Sequence, residues 1–233
     1  MNDFEYLLTL FGLVLGLAIA EVMSGLARTL EAGPFRRHVD VGTGDPVSVG
    51  WLTPLLGVYL LLNLIANWTA TWRFREQIPI RYDALFVGLV VTAVYYLGSR
   101  MVFPREPEQW PNLDEHFLRI RRLVAGCILL GTGGANMAAA VLEGTPPGFF
   151  LLNRAEHAIL LVSICLLRNR IDLTLVLTCL VVLYLIPIGV TWTHGAMSTG
   201  SDLVMVTQLS ATAFTFLLLA LRLLMRRYRP VDA

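Results

Sequence analysis

The side chains able to do chemistry are few, and they sit where chemistry is costly. Glu21, Arg100, Arg154, Glu156 and His157 interrupt apolar runs at about 5–27, 83–103 and 148–167, and an ionisable group inside such a run is a candidate functional residue. Polar amides stand inside other apolar runs: Asn63 and Asn67 one helical turn apart, Asn136, and Gln208 beside Thr207. Arginine, histidine and amides suit a small anionic or hydrogen-bonding ligand, and the imidazole of His157 can carry a proton near neutral pH. Each group also has a plainer reading. Glu21 paired with Arg100 or Arg28 is a structural ion pair that lets a carboxylate stay in the membrane. The asparagines of the second run act as interhelical glue. Asn153-Arg154-Ala155-Glu156 has the spacing of a capping box, which would start the helix at 154 and leave Arg154 reaching to the headgroups.

Several chemistries are excluded outright. All 18 basic residues are arginine, so a Schiff base (retinal included), a P-loop phosphate clamp and a lysine general base are impossible. Cys127, Cys165 and Cys179 all lie in apolar runs and read as small core residues, without a disulfide framework or a thiolate metal site. His38, Asp40 and Asp45 with Asp114, Glu115 and His116 match no ligand signature, and acids in a first helical turn are explained by the helix dipole. A bis-histidine haem needs two histidines at membrane depth, and only His157 qualifies. No cofactor, metal or catalytic residue is therefore expected, nor a nucleic-acid partner, and the balance is against an enzyme.

The elements that must position these residues follow from composition. Apolar residues make up 56% of 233, and at about 20 residues per crossing this leaves room for some six or seven spans. Four stretches, 51–72, 123–142, 173–193 and 203–221, are long enough and carry no charge. With the three interrupted runs, the expected spans are about 5–27, 51–72, 83–103, 119–142, 148–167, 171–193 and 203–225, in one transmembrane domain over 1–233. The acidic start (Asp3, Glu5) and the length of the first run argue against a cleavable signal peptide.

Arginine placement sets the orientation. With seven crossings and the amino terminus outside, fourteen arginines fall on the cytoplasmic side and three (Arg73, Arg75, Arg81) outside, with Arg154 in the membrane. If the run at 148–167 lay on the surface, the split would become eight inside and ten outside. Trp68, Trp72 and Trp192 at outer ends and Trp51 at an inner end fit an aromatic belt. The connections are too short to fold separately, and no internal repeat is evident. Gly12, Gly16, Ala20 and Ser24 form a small-residue stripe on the first span, and Gly131-Thr132-Gly133-Gly134-Ala135-Asn136 reads better as a close-packing segment than as an unwound ion site. Pro187 should kink the sixth span. Asn112-Leu113-Asp114-Glu115 is a second capping-box spacing.

The sequence thus points to an all-α integral membrane protein, a seven-helix bundle of a bacterial inner membrane with a cytoplasmic carboxyl terminus. Asn63, Asn67, Asn136, Arg154, Glu156, His157 and Gln208 would line an outward-facing polar cavity, with Glu21 and Arg100 as an inner charged layer. The corresponding function is a small-solute or proton pathway. The alternative is a non-catalytic sensor or accessory subunit that meets a second copy, a membrane partner or anionic lipid. Orientation is directly testable: a fluorescent protein fused after Ala233 should fluoresce and one inserted at Ile78 should not, and the reverse pattern would overturn the arginine count.

Overall fold

With no water in hydrocarbon to satisfy a peptide group, apolar runs of this length must close their own backbone hydrogen bonds as helices. The computed structural model describes residues 3–31, 50–74, 78, 81–110, 112–144 and 155–194, and the regular elements among them are all helical. They are α1 (Asp3–Leu30), α2 (Leu52–Arg73), α3 (Tyr82–Val102), a 3-10 turn (Pro107–Gln109), α4 (Leu113–Glu143), α5 (Ala155–Leu166) and α6 (Arg170–His194). Four stretches, Thr9–Leu30, Leu52–Trp72, Tyr82–Val102 and Leu113–Leu142, are long and apolar enough to cross a membrane. Among the described residues α5 has only 12, about 18 Å of helix against about 30 Å of hydrocarbon. Residues 148–154 of the run 148–167, with Asn153 and Arg154, lie outside the described residues, as does the whole of 203–225 with Gln208.

The chain divides into two compact units, 1–177 and 178–233. The described part of the second is the carboxyl-terminal stretch of α6, which stays helical through Pro187 to His194. In the first unit α1 packs on α2 and α3, both of these pack on α4, and α4 packs on α5. The directions follow from facing residues. α1 runs antiparallel to α2, with Gly12 against Trp68 and Val22 against Gly57. It runs parallel to α3, with Phe11 against Gly88 and Glu21 beside Arg100. α3 is antiparallel to α4, with Gly98 against Cys127, Tyr95 against Gly131 and Val91 against Gly134. Tyr59, Leu60, Leu64, Tyr95, Phe117, Ile128, Leu160 and Ile164 are fully buried between these helices. Leu13, Leu97, Leu130 and Val141 are exposed, as lipid-facing side chains should be.

At the arginine-rich end the helix starts and stops are tied together. α4 begins six residues before the expected 119 because Asn112 caps it: its side chain accepts from the Asp114 N–H at 2.9 Å. The segment that follows is polar on one side but buries Leu113 and Phe117 on the other. Asp114 in turn caps α2, accepting from the Leu52 N–H at 3.3 Å, and Thr53 Oγ1 donates to the Leu113 carbonyl at 2.9 Å. Arg170, at the start of α6, lies 3.8 Å from the second Asp114 oxygen. Gly50 makes room for this, since a Cβ there would run into the Asp114 carboxylate. Phe103, just past α3, fills the gap that Gly25 of α1 and Gly57 of α2 leave, with ring carbons 2.6 Å and 2.7 Å from where their Cβ atoms would be. Gly144, at φ 65°, ends α4 in the left-handed conformation.

These ties give a stability prediction. Asp114→Ala and Gly50→Ala should each lower the unfolding free energy in detergent by about 0.5–2 kcal/mol, the worth of a lost helix cap. Glu115→Ala, at an exposed neighbour, should stay within about 0.5 kcal/mol of wild type.

Candidate functional site

The polar residues at membrane depth are assembled by small residues that let helices approach. Gly131 brings α4 against α3 so closely that a Cβ there would lie 2.7 Å from the Tyr95 ring. The Tyr95 hydroxyl then meets Thr132 Oγ1 at 2.9 Å. Asn63 of α2, buried, reaches the same oxygen with Nδ2 at 3.3 Å, and its Oδ1 lies 3.4 Å away as an acceptor. Three helices are joined through one threonine. α2 and α4 run parallel, Leu52 lying by Asp114 and Asn63 by Thr132. Asn67 and Asn136 therefore each stand one turn farther from the arginine-rich end than Asn63 and Thr132, and both are half-buried. α4 is unbroken through Gly131–Asn136; Gly131 and Gly134 serve packing, a Cβ at Gly134 lying 3.0 Å from Val91, whereas Gly133 faces open space.

A second polar group lies on the α1–α3 side. Arg100 Nη1 stands 3.6 Å from Glu21 Oε1 and donates to the Tyr96 hydroxyl at 2.9 Å. Of the two arginines in reach by sequence, Arg100 takes the carboxylate. Arg28 instead donates to the carbonyls of Ser24, at 3.4 Å, and Arg105, at 3.3 Å. The pair is partly exposed, 43% for Arg100 and 29% for Glu21. Since Gly98 faces Cys127 and Tyr95 faces Gly131, Arg100 is level with about residue 125 of α4, roughly 10 Å from Thr132 towards the arginine-rich end.

The third group is on α5. Nδ1 of the buried His157 lies 3.1 Å from Glu156 Oε1. α5 packs on α4 and ends where the Leu167 carbonyl accepts from Arg121 Nη1. Ten residues of chain separate His157 from Leu167, and ten separate Arg121 from Gly131. For helices running side by side that sets His157 close to the depth of Thr132. Of the amides, Asn63 alone is seen bonded across to α4, through Thr132, while Glu21–Arg100 lies between α1 and α3 and Glu156–His157 lies on α5. Among the described residues no group of three or more histidines, cysteines or carboxylates is placed to hold a metal.

By sequence Thr132 stands out only as part of the close-packing segment 131–136, and Tyr95 and Tyr96 not at all, because hydroxyls are cheap in a helix and give no local signal. The spacing of Thr132 to Asn136, four residues and so one helical face, was the clue available. Compared with known families, curated proteins and solved structures, the chain matches none.

The glycine pattern separates packing from ion binding. Gly131→Val should destabilise by about 1–3 kcal/mol, as overpacking does, whereas Gly133→Ala should be neutral or slightly stabilising. Equal losses at both positions, measured by unfolding in detergent, would contradict the packing role.

Proposed function

We propose that the protein is a seven-helix multi-pass protein of a bacterial inner (plasma) membrane, amino terminus outside and carboxyl terminus cytoplasmic, that works as a non-catalytic sensor or accessory subunit. The observation that carries this reading is the mutual bonding of polar groups at membrane depth. Asn63, Thr132 and Tyr95 hold one another, as do Glu21, Arg100 and Tyr96. Such groups tie helices together, an adequate reason for buried polar residues to be kept. Four apolar helices of spanning length support the membrane assignment, and the arginine asymmetry supports the orientation. Half-exposed charges on the α1–α3 side suit a subunit that meets a second copy or another membrane protein.

A second reading, a small-solute or proton pathway, is favoured by one feature. Asn67 and Asn136 stand one turn beyond Asn63 on α2 and Thr132 on α4, with His157 near the depth of Thr132. In that reading Arg154, Glu156 and Gln208 complete an outward cavity for a small anionic or polar ligand, and Glu21 and Arg100 form its inner layer. Such a pathway needs both layers to face one interior. Glu21 sits on α1, which packs on α2 and α3, whereas His157 sits on α5, which packs on α4. This favours the first reading.

Flux decides between them. Liposomes containing the protein and an enclosed pH-sensitive dye should acidify no faster than empty ones under a proton gradient. A protein-dependent flux that falls when Asn136→Leu or His157→Leu is introduced would make the pathway the correct reading.

A further inference from the structure

The α4–α5 junction carries a charge that neither reading uses. Arg121 is 7% exposed, yet its Nε has no hydrogen-bond partner; Nη1 alone is engaged, by the Leu167 carbonyl. A buried guanidinium without a counter-ion is strongly unfavourable, so the site is one in which an anion belongs. Two more arginines stand close enough to repel it: Arg122, the next residue, and Arg168, just past α5, both exposed. Among the described residues no carboxylate pairs with any of the three. Asp114 is engaged by Arg170 and by the Leu52 N–H.

Depth and surroundings indicate which anion. Arg121 and Arg122 immediately precede the charge-free run 123–142, so the three guanidiniums lie at the edge of the hydrocarbon, at the level of headgroup phosphates. One turn before Arg122, Arg119 lies over the Trp110 ring, 5.3 Å from its centroid, an arginine–tryptophan pair suited to the interface. On the membrane side of the cluster, Leu123 of α4 and Leu166 of α5 are exposed by 50% and 74%, with Val162 and Leu130 beyond them. Charge at the phosphate level above an exposed apolar surface fits an amphiphile better than a free ion.

We propose that the α4–α5 junction is a binding site for the phosphate oxyanion of an anionic phospholipid. The uncompensated charge of Arg121 draws the phosphate from below, the exposed Arg122 and Arg168 close over it as planar donors, and the acyl chains lie along Leu123, Leu130, Val162 and Leu166. The same phosphate chemistry could be supplied by inorganic phosphate, and the test separates the two sources.

Full-length protein in a neutral detergent is titrated with phosphatidylglycerol or with phosphatidylcholine of the same chains, and bound lipid is counted by native mass spectrometry. Wild type should bind phosphatidylglycerol in preference. Arg122→Gln/Arg168→Gln, which alters only exposed side chains and leaves the Arg121–Leu167 bond in place, should bind it about thirtyfold more weakly, the loss of two interfacial arginines. Arg81→Gln, an exposed arginine before α3, should bind as wild type does. Undiminished binding by the double variant, or equal weakening by Arg81→Gln, would overturn the site. Release of phosphatidylglycerol by millimolar inorganic phosphate would reassign it to the soluble ion and overturn the lipid.

Discussion

A polar group placed in hydrocarbon has only the protein to bond to, and nearly every feature of this chain answers to that constraint. It makes the apolar runs helical, and it governs the side chains once the helices exist. Asn63 cannot turn to water from its position on α2, so it turns to Thr132, and the same oxygen serves Tyr95. The carboxylate of Glu21 has Arg100 beside it. At the arginine-rich end the constraint applies to helix termini, whose first N–H groups have no partner within the helix. Asn112 and Asp114 supply partners for α4 and α2, and because Asp114 belongs to α4, capping α2 also fixes where the two helices begin relative to one another.

The bonds are made possible by packing. Hydrogen bonds between helices need backbones closer than large side chains allow, and glycine is placed where that closeness is required. Gly131 admits the Tyr95 ring one residue before Thr132, so the steric and the polar contact share one turn of α4. Gly25 and Gly57 admit Phe103, which locks the end of α3 between α1 and α2 about two turns away from that layer. On the stripe of the first helix the use is uneven: Gly12 takes the Trp68 ring, whereas Gly16 faces open space.

What could be read in the sequence was whatever depends on local pattern. Spans at 51–72 and 83–103 correspond to α2 at Leu52–Arg73 and α3 at Tyr82–Val102, because an uninterrupted apolar run determines a helix without help from its neighbours. The Asn112 cap and the pairing of Glu21 with an arginine were legible for the same reason: each rests on short spacings or on a cost that only one kind of partner removes. The start of α4 was placed late because the turns 113–119 look polar on average, and their buried side, Leu113 and Phe117, shows only once a neighbour is present. The first-turn acid Asp114 was assigned to the helix dipole, while its stronger partner is an N–H 62 residues away. Thr132 was missed likewise, since the link to Asn63 depends on the register of two helices that no local spacing encodes. For the run 148–167, the described helix covers Ala155–Leu166 and places Glu156 and His157 in its first turn.

The packing of the bundle depends on amides and hydroxyls at membrane depth holding the helices to one another. A double-mutant cycle on the pair that links α2 to α4 tests it most directly, using Asn63→Leu, Thr132→Val and the two combined, because each change nearly keeps volume and removes polarity. Reversible unfolding in detergent or bicelles should show a coupling energy of about 0.6–1.7 kcal/mol, the range found for hydrogen bonds between transmembrane helices. Strict additivity of the two substitutions would contradict it, and would leave the asparagines of α2 free to be read as the lining of a pathway.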